Sequence, residues 1–182
     1  MVSSVFYDSA EEYKEEDPDE MDDYVDPYVL MKAVPPYSSI PPQCLKPKLL
    51  PPKISRHTHT LVLDLDETLV HCYLEEPAQF DITFEIDDGI KYDVYLCFRP
   101  YVFYFLETMS QYYELIVFTA GIRVYGELIC DLFNSETKLI QYCLNREHCV
   151  RVNDGMYIKD LRSLNRDLVL YLIVVLMLCS RR

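Results

Sequence analysis

The chain contains no tryptophan and only 4 glycines in 182 residues. So few glycines nearly exclude a glycine-rich nucleotide loop, and neither GxGxxG nor GxxxxGK occurs. The 7 cysteines form no CxxC pair, and the 4 histidines complete no zinc pattern with them. Odd in number and mostly set in apolar runs, the cysteines read as reduced thiols of a cytosolic or nuclear protein. The opening Met1-Val2-Ser3-Ser4 has neither the basic nor the apolar region of a secretion signal, so secretion is not expected. Basic residues are scarce too. With 17 Lys+Arg against 30 Asp+Glu the net charge is -13, which disfavours direct nucleic-acid binding because each phosphate contact needs a cation. No Lys/Arg cluster reads as an import signal.

What is present is unevenly placed. Residues 1–30 hold 11 acidic side chains and one base, Lys14, which leaves only -3 for residues 31–182. Residues 1–26 read as an acidic disordered tail, either solvated or ordered by a partner. Residues 27–56 read as a Pro-rich linker, with 8 of the 11 prolines lying between Pro27 and Pro52. Residues 57–182 read as the folded domain.

Thr60-Leu61-Val62-Leu63 is apolar on both faces up to Asp64, the pattern of a central strand in a parallel sheet. Ile90 to Leu96 alternates as a half-buried strand. Pro100 opens a helix with the stripe Val102, Phe105, Leu106, Met109. A second buried strand follows at residues 114–119, and Leu128, Ile129, Leu132 and Phe133 suggest another helix. Residues 72–97 look like an antiparallel insertion with a turn at Asp87-Asp88-Gly89. Short strand-like pieces follow over residues 139–158, with a turn at Asn153-Asp154-Gly155. Strand, crossover helix, strand, helix is the grammar of an α/β fold with a parallel sheet. Residues 168–179 are apolar throughout but too short for a membrane span of about 20 residues. A third core strand is expected there, with a short hydrophobic anchor as the alternative.

The chemistry is expected at Asp64-Leu65-Asp66-Glu67-Thr68. Residues two apart on a strand share a face, so Asp64 and Asp66 converge. Two converging carboxylates repel, so either one holds a proton or a cation sits between them, and oxygen ligands with spare waters suit Mg²⁺. The alternative is a pair of strand-end aspartates that cap a loop. His57 and His59 form an i, i+2 pair that nothing nearby completes as a metal site, and His71 reads as a satisfied core histidine.

The longer run Leu61 to Cys72 resembles the haloacid-dehalogenase-like phosphatases, specifically their CTD small phosphatase branch. The likeness continues through Arg99-Pro100, Phe118-Thr119-Ala120, Arg146-Glu147-His148-Cys149, Tyr157-Ile158-Lys159-Asp160-Leu161 and Asn165-Arg166-Asp167-Leu168, with a lead-in at Asp26-Pro27-Tyr28 and Val34-Pro35-Pro36. It covers about residues 26–168. It implies a Rossmann-like parallel sheet flanked by helices with a small antiparallel insertion. It also implies hydrolysis of phosphoserine or phosphothreonine in proteins through an aspartyl-phosphate. Asp64 would attack phosphorus and Asp66 would protonate the leaving oxygen and then activate water. Thr119 would bond the phosphoryl oxygens, Lys159 would neutralise the phosphate and hold Asp64, and Mg²⁺ would sit on Asp64 and Asp66. Thr68, Arg146, Tyr125 and Leu74 are the expected substrate-side positions, although Arg146 reads equally as a surface salt bridge and Tyr125 as core. Arg99 reads as structural.

Beyond Leu168 the family continues into a strand that ends in an acidic pair supplying a further Mg²⁺ ligand. Here Val175 and Leu176 stand in those places, so the domain is expected to be incomplete, its metal grip weakened and its last strand short of neighbours. The resemblance thus leaves two functional expectations, a monomeric Mg²⁺-dependent phosphatase and a phosphopeptide-binding module that cannot turn its ligand over. RNA polymerase II tail peptides and transcription regulators are the family's substrate classes, and its working place is the nucleus or cytoplasm.

Overall fold

His59–Leu63 forms β1, the strand around which the domain is arranged. In the computed structural model, residues 32, 36–87, 89–151 and 157–167 are described, Tyr37 and Gln43 among them as backbone only, and 171–174 as backbone. β1 pairs in parallel with β5, Tyr113–Phe118, which pairs in parallel with β6, Ile140–Leu144. On its other side β1 pairs in parallel with β9, Tyr171–Val174, giving the order β6-β5-β1-β9. The expected strand over residues 168–179 is therefore described over four of its residues, and the rest lies outside the described residues.

The alternation of side chains along β1 divides the interior in two. Leu61 and Leu63, with Leu115 and Val117 of β5, join Val102 and Leu106 of helix α1 (Val102–Ser110) and Ile129 and Phe133 of helix α2 (Arg123–Phe133). Val62, with Ile116 and Phe118, faces the opposite way onto Leu50, Tyr157 and Leu164. Right-handed crossovers explain this division. The steps β1 to β5 and β5 to β6 go in one direction, so α1 and α2 land on one face. The step back across the sheet to β9 puts its connection, including the 3₁₀ turn Leu161–Leu164, on the other face. Full burial of each large aliphatic side chain here contributes about 1.5–3 kcal/mol.

The helix after Pro100 begins at Val102, because Tyr101 takes a left-handed conformation, φ 65°, at the helix entrance. Its buried residues are Val102 and Leu106, with Phe105 and Met109 packed at the margin. In α2 the buried side is Tyr125, Ile129, Cys130 and Phe133, while Leu128 and Leu132 are only half-buried. The expected helix stripe was thus rotated toward Tyr125 and Cys130. Between β1 and α1 the insertion is an antiparallel sheet of β2 (Val70–Tyr73), β4 (Lys91–Phe98) and β3 (Ile82–Asp87), in that order. Gly89, at φ 101°, supports the β3–β4 turn. A two-stranded ribbon of β7 (Val150–Arg151) and β8 (Tyr157–Ile158) follows, and the expected turn at Asn153-Asp154-Gly155 lies outside the described residues.

The Pro-rich segment from Pro36 onward lies on the domain. Ile40 is buried against Val150 and Ile158, and Leu50 enters the core. All six cysteines among the described residues are free thiols. Among those residues, no helix is long and apolar enough to cross a membrane.

One buried charge network ties the sheet to the segment that leads into β9. Glu114, at 1% exposure, accepts bonds from Arg166 at 2.8 Å through both carboxylate oxygens and from Thr60 at 3.0 Å. Lys53 Nζ lies 3.8 Å away. Burial alone would raise the Glu114 carboxyl, but the hydrogen bonds from Arg166 and Thr60 and the charges of Arg166 and Lys53 outweigh it and hold it below the ordinary glutamate range. Its contribution to stability is therefore complete above the unfolded pKa and is lost as pH falls through the lower folded value. Arg166→Met, which leaves the buried carboxylate without its partner, is expected to cost about 3–5 kcal/mol in urea unfolding at neutral pH. That penalty should shrink as the pH is lowered toward the glutamate range.

Candidate active site

The strand ends build the site. β1 stops at Leu63 and the chain passes directly into Asp64, which is 5% exposed at the carboxyl edge of the parallel sheet. That edge is where open α/β sheets place ligand sites. Beyond Asp66 the backbone turns sharply. Leu65 O accepts from Thr68 N, Leu69 N and Val70 N at 3.2, 2.8 and 3.2 Å, and Glu67 is left-handed at φ 59°. Arg99 clamps this turn, its Nε donating to Thr68 O and its Nη2 to Glu67 O at 2.8 Å. His71 bonds Glu67 through Nδ1 and is half-exposed beside the turn, not in the core as expected.

Lys159 follows β8 directly and sends Nζ to Asp64 Oδ1 at 2.5 Å. The same oxygen accepts from Leu65 N at 2.8 Å. Both partners are nearly enclosed, with side-chain exposures of 9% for Lys159 and 4% for Asp64. A buried carboxylate of this kind persists only when an ion or hydrogen bonds match it, and here both do.

Asp66 meets a different environment. Tyr125 donates from its hydroxyl to Asp66 Oδ1 at 2.6 Å, and Thr119 donates from Oγ1 to Asp66 Oδ2 at 3.1 Å. Burial pushes the Asp66 carboxyl above the ordinary aspartate range. The Asp64 charge adds to the rise, whereas the bonds from Tyr125 and Thr119 and the charge of Lys159 pull against it. Burial, with the Asp66 charge beside it, also drives the Tyr125 hydroxyl far upward, so this group donates at every accessible pH.

Thr119 is the residue just past β5, and Asn145 the residue just past β6. Thr119 Oγ1 accepts from Gly121 N at 2.8 Å, and Thr119 N donates to Leu144 O at 2.9 Å. Gly121 permits this crowding, because a Cβ there would lie 3.1 Å from both Thr119 Oγ1 and Tyr125 Cδ1. Asn145, 1% exposed, caps the turn Arg146–His148 and leaves its Nδ2 without a partner. Cys149 packs beneath, its thiol donating weakly to Thr119 O at 3.7 Å. Burial pushes that thiol up to about 11, so it is protonated at neutral pH.

The structure therefore brings Asp64, Asp66, Thr119, Tyr125 and Lys159 together. Arg146 stands at the margin, its Nε donating to Ala120 O at 2.8 Å and its guanidinium lying 5.1 Å from the Tyr157 ring. Thr68 is buried in the clamped turn at 1% exposure. Leu74 is exposed beyond β2. The sequence reading put Tyr125 either in a peptide groove or in the core. Its ring is buried, yet its hydroxyl bonds one of the two acids directly. Asn145 was missed, although a polar residue immediately after a buried strand, as at Thr119, was the available signal.

The donors facing this site are hard oxygens, and the nearest thiol is protonated. Among the described residues no group of three or more His, Cys, Asp or Glu converges. One or two carboxylates, completed by water and a phosphate, are the usual holding set of Mg²⁺, so the residues present fit that ion better than zinc or calcium.

A parallel α/β sheet with twin aspartates past its central strand and a lysine paired to the first defines a phosphatase-like class. The chain belongs to the NLI interacting factor-like phosphatase family, whose pattern matches residues 59–175. It is 44% identical over 110 residues to CTD small phosphatase-like protein 3 of Caenorhabditis elegans, covering 60% of this chain and 38% of that protein. It is 40% identical over 144 residues to CTD small phosphatase-like protein 2 of Dictyostelium discoideum, covering 78% of this chain and 24% of that protein. CTD nuclear envelope phosphatase 1B of Danio rerio is 37% identical over 119 residues, covering 59% of this chain and 47% of its own. The chain thus spans less than half the length of each. In fold it is similar to the fission yeast RNA polymerase II CTD phosphatase Fcp1 bound to beryllium fluoride, with TM-score 0.53, 22% identity, and coverage of 63% of this chain and 36% of that one.

Tyr125→Phe removes a hydrogen bond to a charged acceptor, worth about 1.5–3 kcal/mol. The Asp66 midpoint is expected to move further up by about one to two pH units, read by carbon-detected NMR titration. An unchanged midpoint would show that the Tyr125 hydroxyl does not act on Asp66.

Proposed function

We propose that this chain is a phosphoprotein phosphatase that hydrolyses phosphoserine and phosphothreonine through a phosphorylated Asp64. The observation that carries the reading is the contrast between two aspartates of one loop. Asp64 is paired with an ammonium and fits the role of nucleophile. Asp66 is half-buried with a raised carboxyl and fits the role of acid, protonating the leaving serine or threonine oxygen and then taking a proton from water. Thr119 donates toward the phosphoryl oxygens, and Lys159 holds Asp64 in line while offsetting phosphate charge. Mg²⁺ held by Asp64 and the Asp66 backbone carbonyl would supply further charge compensation to the transferring phosphoryl group. The names of the relatives favour the RNA polymerase II CTD as substrate and the nuclear envelope as one working place, and transcription regulators remain a substrate class that the family resemblance implies.

A second reading, a phosphopeptide-binding module without turnover, is favoured by one sequence fact. Val174 of β9 lies level with Leu63, and the next two residues, Val175 and Leu176, carry no oxygen donor on their side chains. With Mg²⁺ and p-nitrophenyl phosphate, the phosphatase reading expects turnover that EDTA abolishes. Asp64→Asn should lower it by at least about a thousandfold. Asp66→Asn should lower it by about 10²–10⁴. Because the Asp66 acid form persists to an elevated pH, kcat should decline with rising pH only above the ordinary aspartate range. A wild-type chain no more active than Asp64→Asn would exclude catalysis. In that case activity gained by Val175→Asp with Leu176→Asn would assign the defect to the metal shell.

A further inference from the structure

Lys159 carries one half of the ion pair at the site, yet the element that precedes it is slight. Among the described residues β8 is two residues long, and it pairs Ile158 with Val150 and Tyr157 with Arg151 of β7. A two-stranded ribbon is marginally stable at best on its own in water. The long lysine stem adds rotamer freedom that must also be restrained. Placement of the ammonium against Asp64 therefore has to come from packing around residues 157–166.

Much of that packing comes from the Pro-rich segment, and it acts on both sides of Lys159. Before the lysine, Ile158 meets Ile40, which is 8% exposed, in a small cluster completed by Val150, Cys44 and Leu45. This cluster is separate from the two larger cores, so its buried members belong to the segment and the ribbon alone. After the lysine, Leu50 shares a buried cluster with Leu164 and with Tyr157. Leu49 N donates to Ser163 O at 2.8 Å, and Asn165 Nδ2 donates to Leu50 O at 3.1 Å. Arg166 Nη1 donates to Pro51 O at 2.8 Å. Ser163 passes this hold back toward the lysine, because its N and Oγ both donate to Asp160 O, at 3.1 and 2.6 Å. Asp160 is the residue next to Lys159. Farther along the same segment Ile54 is 89% exposed, so the burial of Ile40 and Leu50 is selective.

Holding the chain on both sides of a residue fixes its backbone, and only then can one lysine rotamer keep its ammonium on a chosen oxygen. A misplacement of about 1 Å at a reacting group can cost about a hundredfold in rate. We propose that Ile40 and Leu50 are positioning residues for Lys159, which bracket its backbone so that Nζ stays on Asp64. The Pro-rich segment thereby becomes part of what supports the reactive site. The effect on turnover rests on the phosphatase reading of the Asp64 site, whereas the placement of Lys159 rests on the packing alone.

The test uses the full chain as Ile40→Ala, Leu50→Ala and the conservative Ile40→Val, with Ile54→Ala as a control on the same segment. Brief acetylation with acetic anhydride, followed by mass spectrometry, reads how accessible each lysine is. In the wild type Lys159, its side chain 9% exposed, should label far more slowly than Lys91, at 64%. In Ile40→Ala and in Leu50→Ala, labelling of Lys159 relative to Lys91 should rise at least about tenfold, the mark of a local opening. Amide exchange of β1 and β5 should stay slow in Ile40→Ala, which general unfolding would not allow. With Mg²⁺ and p-nitrophenyl phosphate, kcat should fall at least about tenfold in both alanine variants. Ile40→Val should restore most of the labelling protection and turnover, and Ile54→Ala should change neither. Unchanged Lys159 labelling in either alanine variant would overturn the positioning by that residue. Fast exchange throughout β1 and β5 in Ile40→Ala would overturn it as well, since the role would then be structural only. Faster labelling with an unchanged kcat would overturn the link to turnover. Faster labelling in the variants of a chain whose wild type has no turnover would support the positioning and overturn the phosphatase reading.

Discussion

Everything at this sheet edge depends on the ion pair between Lys159 and Asp64. Two carboxylates two residues apart, one buried and the other half-buried, are costly to keep charged together without compensation. The ammonium that compensates lies 95 residues downstream of Asp64. It reaches the site because β8 pairs with β7, because Tyr157 is buried against the sheet, and because Ile158 packs on the ribbon's other side against Ile40 and Val150. The ribbon therefore has a structural task of its own, which is to deliver one charge to one carboxylate. The packing of Ile40 against Val150 and Ile158 supports the same ribbon from the Pro-rich segment.

The two acids are chemically identical and are made unlike by what surrounds them. Asp64 is given a cation. Asp66 is given two neutral hydroxyls, a low-dielectric setting and an anionic neighbour, so its proton is held more firmly. Residue type alone assigns neither role. The assignment comes from β5 and α2, which carry Thr119 and Tyr125 to Asp66, and from β8, which carries Lys159 to Asp64. Gly121 serves the same end, because a Cβ there, 3.1 Å from both Thr119 Oγ1 and Tyr125 Cδ1, would push these two side chains out of place.

What was legible in the sequence was what local pattern encodes. The run Leu61 to Leu63 announced a doubly covered strand, the stripe from Val102 to Met109 announced a helix, and Asp64 and Asp66 announced converging charge. What stayed hidden was contact between residues whose local settings are ordinary. Nothing in the neighbourhoods of Glu114 and Arg166, 52 residues apart, marks them as a buried bidentate pair. Tyr125 looks like any helix aromatic until α2 docks and its hydroxyl finds Asp66, 59 residues away. The stripe of α2 was misjudged for the same reason, since Leu128 and Leu132 outweigh Tyr125 and Cys130 in hydrophobicity but not in the direction they face. Tyr101, left-handed at the entrance to α1, carries no signal that distinguishes it from a helical residue.

The sheet edge is also asymmetric in its donors, and this bears on how phosphate is held. β1 ends in aspartates, β5 in a threonine and β6 in an asparagine. The residues after β9 in sequence are valine and leucine. Among the described residues the anionic donors at this edge are Asp64 and Asp66, and Lys159 and Arg146 supply cations beside them. A phosphorylated ligand needs only cations and hydrogen-bond donors to bind, whereas turnover also needs the attacking carboxylate to be aligned and its charge offset. Affinity and catalysis consequently draw on separable parts of this surface. Substitutions at Arg146 should act on ligand choice, and those around Asp64 on the chemical step.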